Sequence, residues 1–350
     1  MTRYTVFRYL KEQRRGIPAV VKANLRGKTI VVVGANVGLG YEAAKHFASM
    51  NPGRLILACR NLQRGEEAIS NLKLSTGFPH IELRILDLNS FSSIKHFVDK
   101  LDAEESRLDI LVENAGIHAN NKYETTKDGW STILQTNCIA PALLAFCLLP
   151  QMIKTARQHS VTPRIVVTSS FMHHWSTLDK NSLILKSRNA LKTMSSPEYF
   201  RKTSAQIQYC DSKLINLLFI RALQRKLSNE LPIIINAVNP GYCVSNIRRN
   251  WTGIKALSNS FMEKIMAYTT EEGSRPIVHG AVGDLGHGFK SDSKQGGYIN
   301  LDYKVVEPSD FVSSKEGIHL QDKIWDELLE LLPSVGSNLE IIDQYLEHYL

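Results

Sequence analysis

Tyr209 and Lys213 are two residues whose types and spacing could do chemistry together. They stand four positions apart at the head of an apolar helical stretch, so a helix places the phenol and the ammonium on one face, one turn apart. A free tyrosine has a pKa of about 10, and a nearby cation lowers that pKa. The pair could therefore exchange a proton with a substrate near neutral pH. The same spacing also arises by chance from a half-buried tyrosine beside a solvated lysine. Motifs elsewhere in the chain must show which interpretation applies.

A glycine-rich turn stands near the start of the chain, between a strand pattern and a helix pattern. The β-branched run 29–34 predicts a strand buried on both faces, and the turn 34–40 that follows has the spacing GxxxGxG. Its first glycine allows a tight turn, and the other two let backbone amides at a helix N-terminus approach a diphosphate. We expect the following residues of the turn to contact a dinucleotide: Gly34, Asn36, Gly38, Leu39 and Gly40.

The end of the second predicted strand, 54–59, indicates which dinucleotide the turn binds. An acidic residue at this place would hold the ribose hydroxyls of NAD. This chain has Cys59 followed by Arg60, and a guanidinium suits the 2′-phosphate of NADP. The sequence therefore favours NADP(H), against the alternative that Arg60 is only a surface residue at a strand end.

Strand and helix patterns alternate from residue 29 to about residue 300. This alternation predicts a single-domain α/β Rossmann fold, a doubly wound parallel sheet of about seven strands flanked by helices. Polar and glycine residues follow the predicted strands, at the sheet edge where such folds bind ligands. Asp87 follows the third strand, where it could accept from an adenine amino group or cap the next helix. The strands are 29–34, 54–59, 81–86, 108–112, 163–168, 233–238 and 297–300.

Composition argues against several classes of protein. The chain has 350 residues, 43% of them hydrophobic, and its longest apolar stretch, 139–153, is shorter than the ~20 residues of a membrane span. The N-terminus has no apolar signal-peptide core. The five cysteines form no CxxC pair, which predicts reduced thiols and a cytoplasmic location.

The net charge of +8 is concentrated at the N-terminus, where residues 1–28 carry eight basic side chains and one acidic one. The basic arm 1–27 could touch acidic lipid or nucleic acid, or it could be a solvated leader. No aromatic-interleaved basic stripe follows it, so we favour a solvated leader and expect no nucleic-acid partner. The spacing of Tyr4, Phe7 and Leu10 leaves a peripheral membrane contact open.

Taken in order, these motifs resemble the short-chain dehydrogenase/reductase family, and most closely its retinol-dehydrogenase-like and fungal carbonyl-reductase-like branch. The resemblance covers residues 28 to about 300. It implies hydride transfer between a nicotinamide and an alcohol or carbonyl carbon. The motifs that carry it are Gly34–Gly40, Asp87, Asn114-Ala115-Gly116, Asn137, Ser170, Tyr209 with Lys213, and Pro240-Gly241.

The resemblance implies a role for each matching residue. Tyr209 would exchange a proton with the substrate oxygen, while Lys213 would hold the nicotinamide ribose and lower the pKa of Tyr209. Ser170 would hydrogen-bond the substrate oxygen, and Asn137 would kink its helix and hold a water that links Lys213 to solvent. Beyond the glycine turn, the implied cofactor residues are Arg60, Asp87, Asn114, Tyr209, Lys213, Pro240, Gly241 and Ser245.

Three segments outside these motifs bear on the substrate. The insert 171–208 is long for the family, and we expect it at the mouth of the active site. Segment 242–268 resembles the family's substrate lid, and its apolar residues favour an apolar substrate wall. The tail 315–350 contains an amphipathic helix that packs either over the pocket or on a partner subunit. The sequence is compatible with either a monomer or a homodimer.

Two departures from common patterns need an interpretation. Glu113 stands where many family members have Asn, and we expect it to alter a contact within the sheet while leaving catalysis intact. His173 and His174 could suggest a metal, but no Cys, Asp or Glu stands at ligand spacing. We therefore predict no metal site.

The sequence as a whole predicts an NADP(H)-dependent ketoreductase-type oxidoreductase in one domain, 28–350. Its substrate would be bulky and hydrophobic: a terpenoid, steroid, retinoid or polyketide of the kind made in secondary metabolism. One alternative is a non-catalytic NADP(H)-binding sensor or scaffold, which would have no need of a complete proton path. A second is a lipid-handling enzyme that works at a membrane surface through the basic arm.

Overall fold

The computed structural model describes residues 6–118, 122–228, 231–248, 253–284, 297–337 and 339–346. Within these ranges seven parallel strands form one sheet with the order β3-β2-β1-β4-β5-β6-β7, which confirms the predicted doubly wound fold. The order reverses between β1 and β4, and this is where such sheets open a ligand crevice. The strands are β1 (Thr29–Val33), β2 (Arg54–Cys59), β3 (Ile81–Ile85), β4 (Ile110–Glu113), β5 (Arg164–Thr168), β6 (Ile234–Val238) and β7 (Gly297–Ile299).

Helices cover both faces of the sheet. Those that frame the core and the site are α1 (Val6–Gln13), α2 (Gly38–Ala48), α3 (Leu62–Thr76), α4 (Phe91–Glu104), α5 (Thr132–His159), α6 (Ser182–Leu185), α7 (Ala190–Met194), α8 (Pro197–Lys202), α9 (Ala205–Lys226), α10 (Gly253–Met266), α11 (Thr270–Val282), α12 (Asp310–Ser313), α13 (Lys315–Leu329) and α14 (Leu339–Asp343). Short 3-10 turns lie at Phe171–Trp175, Leu178–Lys180, Asn246–Arg248 and Leu332–Val335.

The two faces of the sheet pack into two separate cores. In β1, Ile30 and Val32 contribute to the core under α2, α3 and α11, while Val31 and Val33 contribute to the larger core under α4, α5 and α9. Successive side chains of a strand point to opposite faces, so a strand covered on both sides must be apolar throughout. This is why the run at 29–33 has no polar alternation.

Helix α5 has two features that bear on the sequence predictions. In the described ranges it is long and apolar enough to cross a membrane by length and composition, but 94% of its most apolar window is buried inside the protein. Its place in the larger core identifies it as a core helix. The chain distorts into a π-helical turn at Gln135–Ile139, around Asn137, so the predicted local distortion is present.

The N-terminal segment packs on the domain, and the expectation of a solvated leader is wrong for residues 9–25. Gln13 is 3% exposed, and Ile17 and Leu25 are buried. The basic side chains between these buried residues are exposed, so their charges stay in water. The proposed helix face of Tyr4, Phe7 and Leu10 lies in part outside the described residues. The exposed basic residues are Lys11, Arg14, Arg15, Lys22 and Arg26.

The tail packs on the body of the domain rather than over the ligand crevice. Trp325 of α13 is buried, with its ring 5.1 Å from that of Phe146 in an edge-to-face contact. The amphipathic pattern of this helix thus reflects its burial in the larger core. Parts of three predicted segments lie outside the described residues: 1–5 of the basic arm, 249–252 of the lid, and 338 and 347–350 of the tail.

Candidate active site

A cavity of about 590 Å³ opens at the carboxyl edge of the sheet, where β1, β4 and β5 end. It brings together the predicted residues with two exceptions, Gly40 and Asn137, which lie behind its wall. The predicted residues that line it are Gly34, Asn36, Gly38, Leu39, Arg60, Asp87, Asn114, Ser170, Tyr209, Lys213, Pro240, Gly241 and Ser245.

The glycine turn is held tightly against the strand beside it. A Cβ on Gly40 would lie 2.4 Å from the Gly34 carbonyl oxygen and 2.5 Å from Nδ2 of Asn114, so no larger side chain fits. The Asn114 amide donates to the Gly34 carbonyl at 3.2 Å, which ties the turn to β4. Gly40 therefore acts in the packing of the turn. Gly38 and Leu39 of the first turn of α2 line the cavity, and a helix N-terminus of this kind can hold an anion.

Arg60 and Asp87 lie on the cavity wall beyond the glycine turn. Arg60 directly follows β2, and its side chain is exposed. Oδ1 of Asp87 accepts from the backbone of Asn89 at 3.0 Å, inside the turn that precedes α4. The residue that caps α4 is Ser90, so the capping alternative for Asp87 is wrong. The contact of Asp87 with an adenine stays a prediction.

Tyr209 and Lys213 lie one turn apart on α9, as predicted. Lys213 is buried, its Nζ donates to the Thr168 carbonyl at 2.7 Å, and it lies 5.7 Å from the centre of the Tyr209 ring. Burial lowers the pKa of Lys213 to about 8. The predicted lowering of the Tyr209 pKa is wrong for this structure: burial raises it, and Arg248 is the cation that opposes the rise. Tyr209 is thus a protonated phenol at neutral pH.

Asn137 fixes the backbone next to Lys213. Its Nδ2 donates to the Ile117 carbonyl at 2.9 Å and to Oγ of Ser212 at 3.0 Å, and its Oδ1 accepts from the Ile117 backbone at 2.9 Å. A Cβ on Gly116 would lie 3.5 Å from Oδ1 of Asn137 and 3.7 Å from Nζ of Lys213, so both groups border this glycine. The π-helical turn aims the amide at this strand end.

The geometry distinguishes the two serines that follow β5. Oγ of Ser169 donates to the Lys213 carbonyl at 3.2 Å and so serves the junction with α9. Oγ of Ser170 accepts from the Met172 backbone at 3.2 Å, which caps the 3-10 turn Phe171–Trp175. Accepting this bond leaves the Ser170 hydroxyl proton to be donated into the cavity. Ser170 therefore suits the role that sequence reasoning gave it.

Several cavity residues were missed by sequence reasoning. His118 stacks on Tyr209 with ring centres 4.9 Å apart, and its Nε2 lies 3.2 Å from Oε1 of Gln206. The Arg248 guanidinium lies 4.6 Å from the centre of the Tyr242 ring. Tyr9 reaches the cavity from the N-terminal segment. These residues lie far apart in the chain, and no local pattern links them to Tyr209.

His173 is a structural residue of the insert. Its Nδ1 lies 2.7 Å from the Ser170 carbonyl, and its Nε2 accepts from the Ser309 backbone at 3.1 Å. Burial lowers its pKa well below the usual value, so the ring is neutral and donates through Nδ1. Both ring nitrogens are therefore engaged in holding the loop after Ser170.

Glu113 ends β4 and is 4% exposed. Neither of its carboxyl oxygens has a hydrogen-bond partner in the described part of the chain. Burial raises its pKa well above the usual value, which favours the uncharged acid. An uncharged carboxyl places no negative charge beside the cavity.

Glu113→Gln is expected to raise the free energy of unfolding at neutral pH. Because the folded-state pKa is raised, the folded protein keeps this proton to a higher pH than the unfolded chain. Wild-type stability therefore falls as pH rises above the unfolded pKa of about 4.3. Glutamine has a similar shape and no proton to lose. Thermal unfolding from about pH 4 to pH 8 should show a Tm advantage of the variant that grows with pH; a constant difference would contradict the neutral carboxyl.

The chain is similar in sequence and in fold to several known proteins. The family described as "short chain dehydrogenase" matches residues 28–177. A short chain dehydrogenase/reductase of Cryptosporiopsis sp., dmxR8, is 34% identical over 322 residues, covering 90% of this chain and 94% of that protein. The carbonyl reductase Sniffer of D. melanogaster shares the fold with a TM-score of 0.55 and 20% identity over 80% of this chain and 99% of its own. A Shigella flexneri short chain dehydrogenase complexed with NADP has a TM-score of 0.56 and 21% identity, over 80% and 99% of the two chains.

The Rossmann sheet and a cavity lined by Ser170, Tyr209 and Lys213 fit an oxidoreductase that uses a nicotinamide cofactor. The chain belongs to the short-chain dehydrogenase/reductase family.

Proposed function

We propose that this protein is an NADP(H)-dependent oxidoreductase that interconverts an alcohol and a carbonyl on a bulky hydrophobic substrate. The observation that carries the proposal is the convergence of Ser170, Tyr209 and Lys213 on one cavity that also contains the glycine turn. A sensor or scaffold could bind a dinucleotide without this set of proton-handling groups. The set therefore favours catalysis over the sensor alternative.

The residues present fit NADP(H). The glycine turn and the first turn of α2 suit the diphosphate, and Arg60 stands at the end of β2, where it suits the 2′-phosphate. The related Shigella flexneri structure contains NADP, which supports the same choice for this chain. When bound, the cofactor supplies or accepts the hydride.

The protein's own contribution is to orient the substrate and to move a proton. The Tyr209 phenol donates its proton to the substrate oxygen as a carbonyl is reduced, and the Ser170 hydroxyl donates a hydrogen bond to the same oxygen. Burial raises the pKa of Tyr209, which keeps the phenol protonated at neutral pH. Lys213 would hold the nicotinamide ribose of the bound cofactor, and Asn137 would connect Lys213 through a water to solvent.

The cavity wall supports a large apolar substrate. Met172, Ile247 and Met262 line it beyond Tyr209, together with the aromatic side chains of Tyr9 and Trp175. An apolar wall with a few placed polar groups is the usual form of a site for a hydrophobic small molecule. The kinship with fungal enzymes supports a role in secondary metabolism. All five cysteines are free and buried, which supports a cytoplasmic location.

Titration with NADPH and NADH, followed by nicotinamide fluorescence, tests the proposal. We expect NADPH to bind more tightly, and NADPH to be oxidised when one class of apolar ketone from a panel is added. Tight binding without turnover of any ketone would favour the sensor alternative. If neither dinucleotide binds, the proposal is wrong.

A further inference from the structure

Three aromatic side chains meet at the outer end of the cavity, and one of them comes from the N-terminal segment. Tyr9 stacks on Phe171 with ring centres 4.0 Å apart and planes 24° apart. Trp175 meets both edge-on, 5.8 Å from Tyr9 and 5.2 Å from Phe171. All three line the cavity, and Tyr9 and Trp175 are only partly buried, so some of their ring surface faces the space. We call these three residues the aromatic cluster.

Gln13 fixes the position of the helix that carries Tyr9. Its Nε2 donates to the Tyr242 carbonyl at 2.8 Å and to the Met266 carbonyl at 3.0 Å, while its Oε1 accepts from the Tyr242 backbone at 2.9 Å. Tyr268 also donates to the Gln13 carbonyl. Among common side chains of this size, an amide offers two donors and an acceptor at once. Helix α1 is thereby tied to both ends of the lid segment 242–268.

A second set of bonds connects the N-terminal segment to the strand end beside the cofactor site. Nδ2 of Asn300 lies 3.3 Å from a carboxyl oxygen of Glu12. Asn300 in turn accepts from Asn239 at 2.8 Å, and Asn239 accepts from the backbone of Phe171 at 3.1 Å. The base of the aromatic cluster and the segment that completes it are thus held by one connected network. A connected hydrogen-bond network that is largely buried favours one arrangement of the groups it joins.

We infer that Tyr9 is a specificity-determining residue that selects substrates carrying an aromatic ring, and that Gln13 is its positioning residue. The inference rests on the proposed oxidoreductase function and names its substrate class: an aryl ketone or the matching aryl carbinol. The faces and edges of aromatic side chains attract a flat ring more strongly than an aliphatic group of equal size. The ring lies in the cluster while its carbonyl group reaches Ser170 and Tyr209.

The charge near the cluster is already balanced, which favours a neutral aromatic ligand over a cationic one, although aromatic faces also attract cations. The Arg248 guanidinium, whose charge lowers the pKa of Tyr9 against the larger upward effect of burial, is paired with the Glu263 carboxylate at 2.7 Å. A charged ligand would gain little from an ion pair that is already neutral. The match to the family begins at residue 28, so the cluster depends on a residue outside the matched part of the chain.

Tyr9→Leu tests the role of the ring, with Tyr9→Phe as the matched control. The substrates are 2-acetylnaphthalene and an aliphatic methyl ketone of similar size, with saturating NADPH. We expect Tyr9→Leu to raise the KM for the aryl ketone by about two- to tenfold and to leave the KM for the aliphatic ketone and NADPH binding unchanged. Tyr9→Phe keeps the aryl preference. Equal changes for both ketones, or no change for either, would overturn the inference.

Gln13→Glu tests the positioning role, because it keeps the length and acceptor of the side chain but loses both donors. We expect Gln13→Glu to behave like Tyr9→Leu, with a raised KM for the aryl ketone and an unchanged kcat. Combining Gln13→Glu with Tyr9→Leu should raise this KM no further. Arg14→Ala, an exposed neighbour, is the control. A fall in kcat for both ketones, or additive effects in the double variant, would count against this role.

Failure of the proposed function gives a different result from failure of the inference. If none of the ketones supports oxidation of NADPH by the wild type, the proposed function fails. Binding of 2-acetylnaphthalene can then be measured directly through the quenching of tryptophan fluorescence. Weaker binding to Tyr9→Leu than to Tyr9→Phe would still support the aromatic cluster. Equal binding to both would overturn it.

Discussion

Tyr209→Phe is expected to lower kcat by about a hundredfold or more while NADPH binds almost as tightly as in the wild type. The change removes one hydroxyl and keeps the ring that stacks on His118. Lys213 keeps its bond to the Thr168 carbonyl, so the floor of the cofactor site is preserved. The loss would therefore report the proton transfer itself. Steady-state turnover with the best ketone and a fluorescence titration with NADPH measure the two effects.

A tyrosine outside the cavity provides the control for this experiment. The Tyr123 hydroxyl donates to the Ser195 carbonyl at 2.7 Å in a second, smaller pocket. Tyr123→Phe removes the same atom and is expected to leave kcat nearly unchanged. If Tyr209→Phe keeps more than about a tenth of wild-type turnover, another group supplies the proton and the assignment is wrong.

Local sequence patterns were sufficient for the frame of this protein. The apolar run of β1 is buried on both faces, and a continuous run of this kind indicates an interior strand of a parallel sheet. The glycine turn was equally readable, because Gly40 faces a carbonyl oxygen and Asn114 with no space for a side chain. These features depend on neighbours in sequence and on the fixed geometry of a strand–turn–helix unit.

Contacts between distant parts of the chain could not be predicted in this way. Gln13 and Tyr242 are 229 residues apart in sequence, and nothing near Gln13 distinguishes it from a solvated glutamine. The basic residues near Gln13 indicated a solvated leader. In the structure these basic side chains face water, while the residues between them pack against the domain. The prediction of a lowered Tyr209 pKa was wrong for a related reason. That pKa depends on burial by the assembled cavity, and the four-residue spacing to Lys213 carries no information about burial.

We propose that the choice of cofactor depends on one exposed side chain, and we expect Arg60→Asp to reverse it. Arg60 lines the cavity directly after β2, where the adenosine ribose of a dinucleotide is held. A charge-assisted bond to the 2′-phosphate contributes about 1.5–3 kcal/mol, so its loss weakens NADPH by roughly 10- to 150-fold. An aspartate adds repulsion of the phosphate, whereas it can accept from the free ribose hydroxyls of NADH. NADH binding should therefore change little or improve, as fluorescence titrations with both dinucleotides would show.

Arg64→Asp separates a specific contact from a general effect of charge. Arg64 lies one turn later on α3, is exposed as Arg60 is, and does not line the described cavity. Because Arg64 does not line the cavity, the same change of charge there acts on NADPH through solvent, and added salt screens such an interaction. We expect a small loss that disappears as salt is added, while the loss caused by Arg60→Asp persists. Equal losses for NADPH and NADH in Arg60→Asp would remove Arg60 from the phosphate site and leave the preference for NADP(H) without its main support.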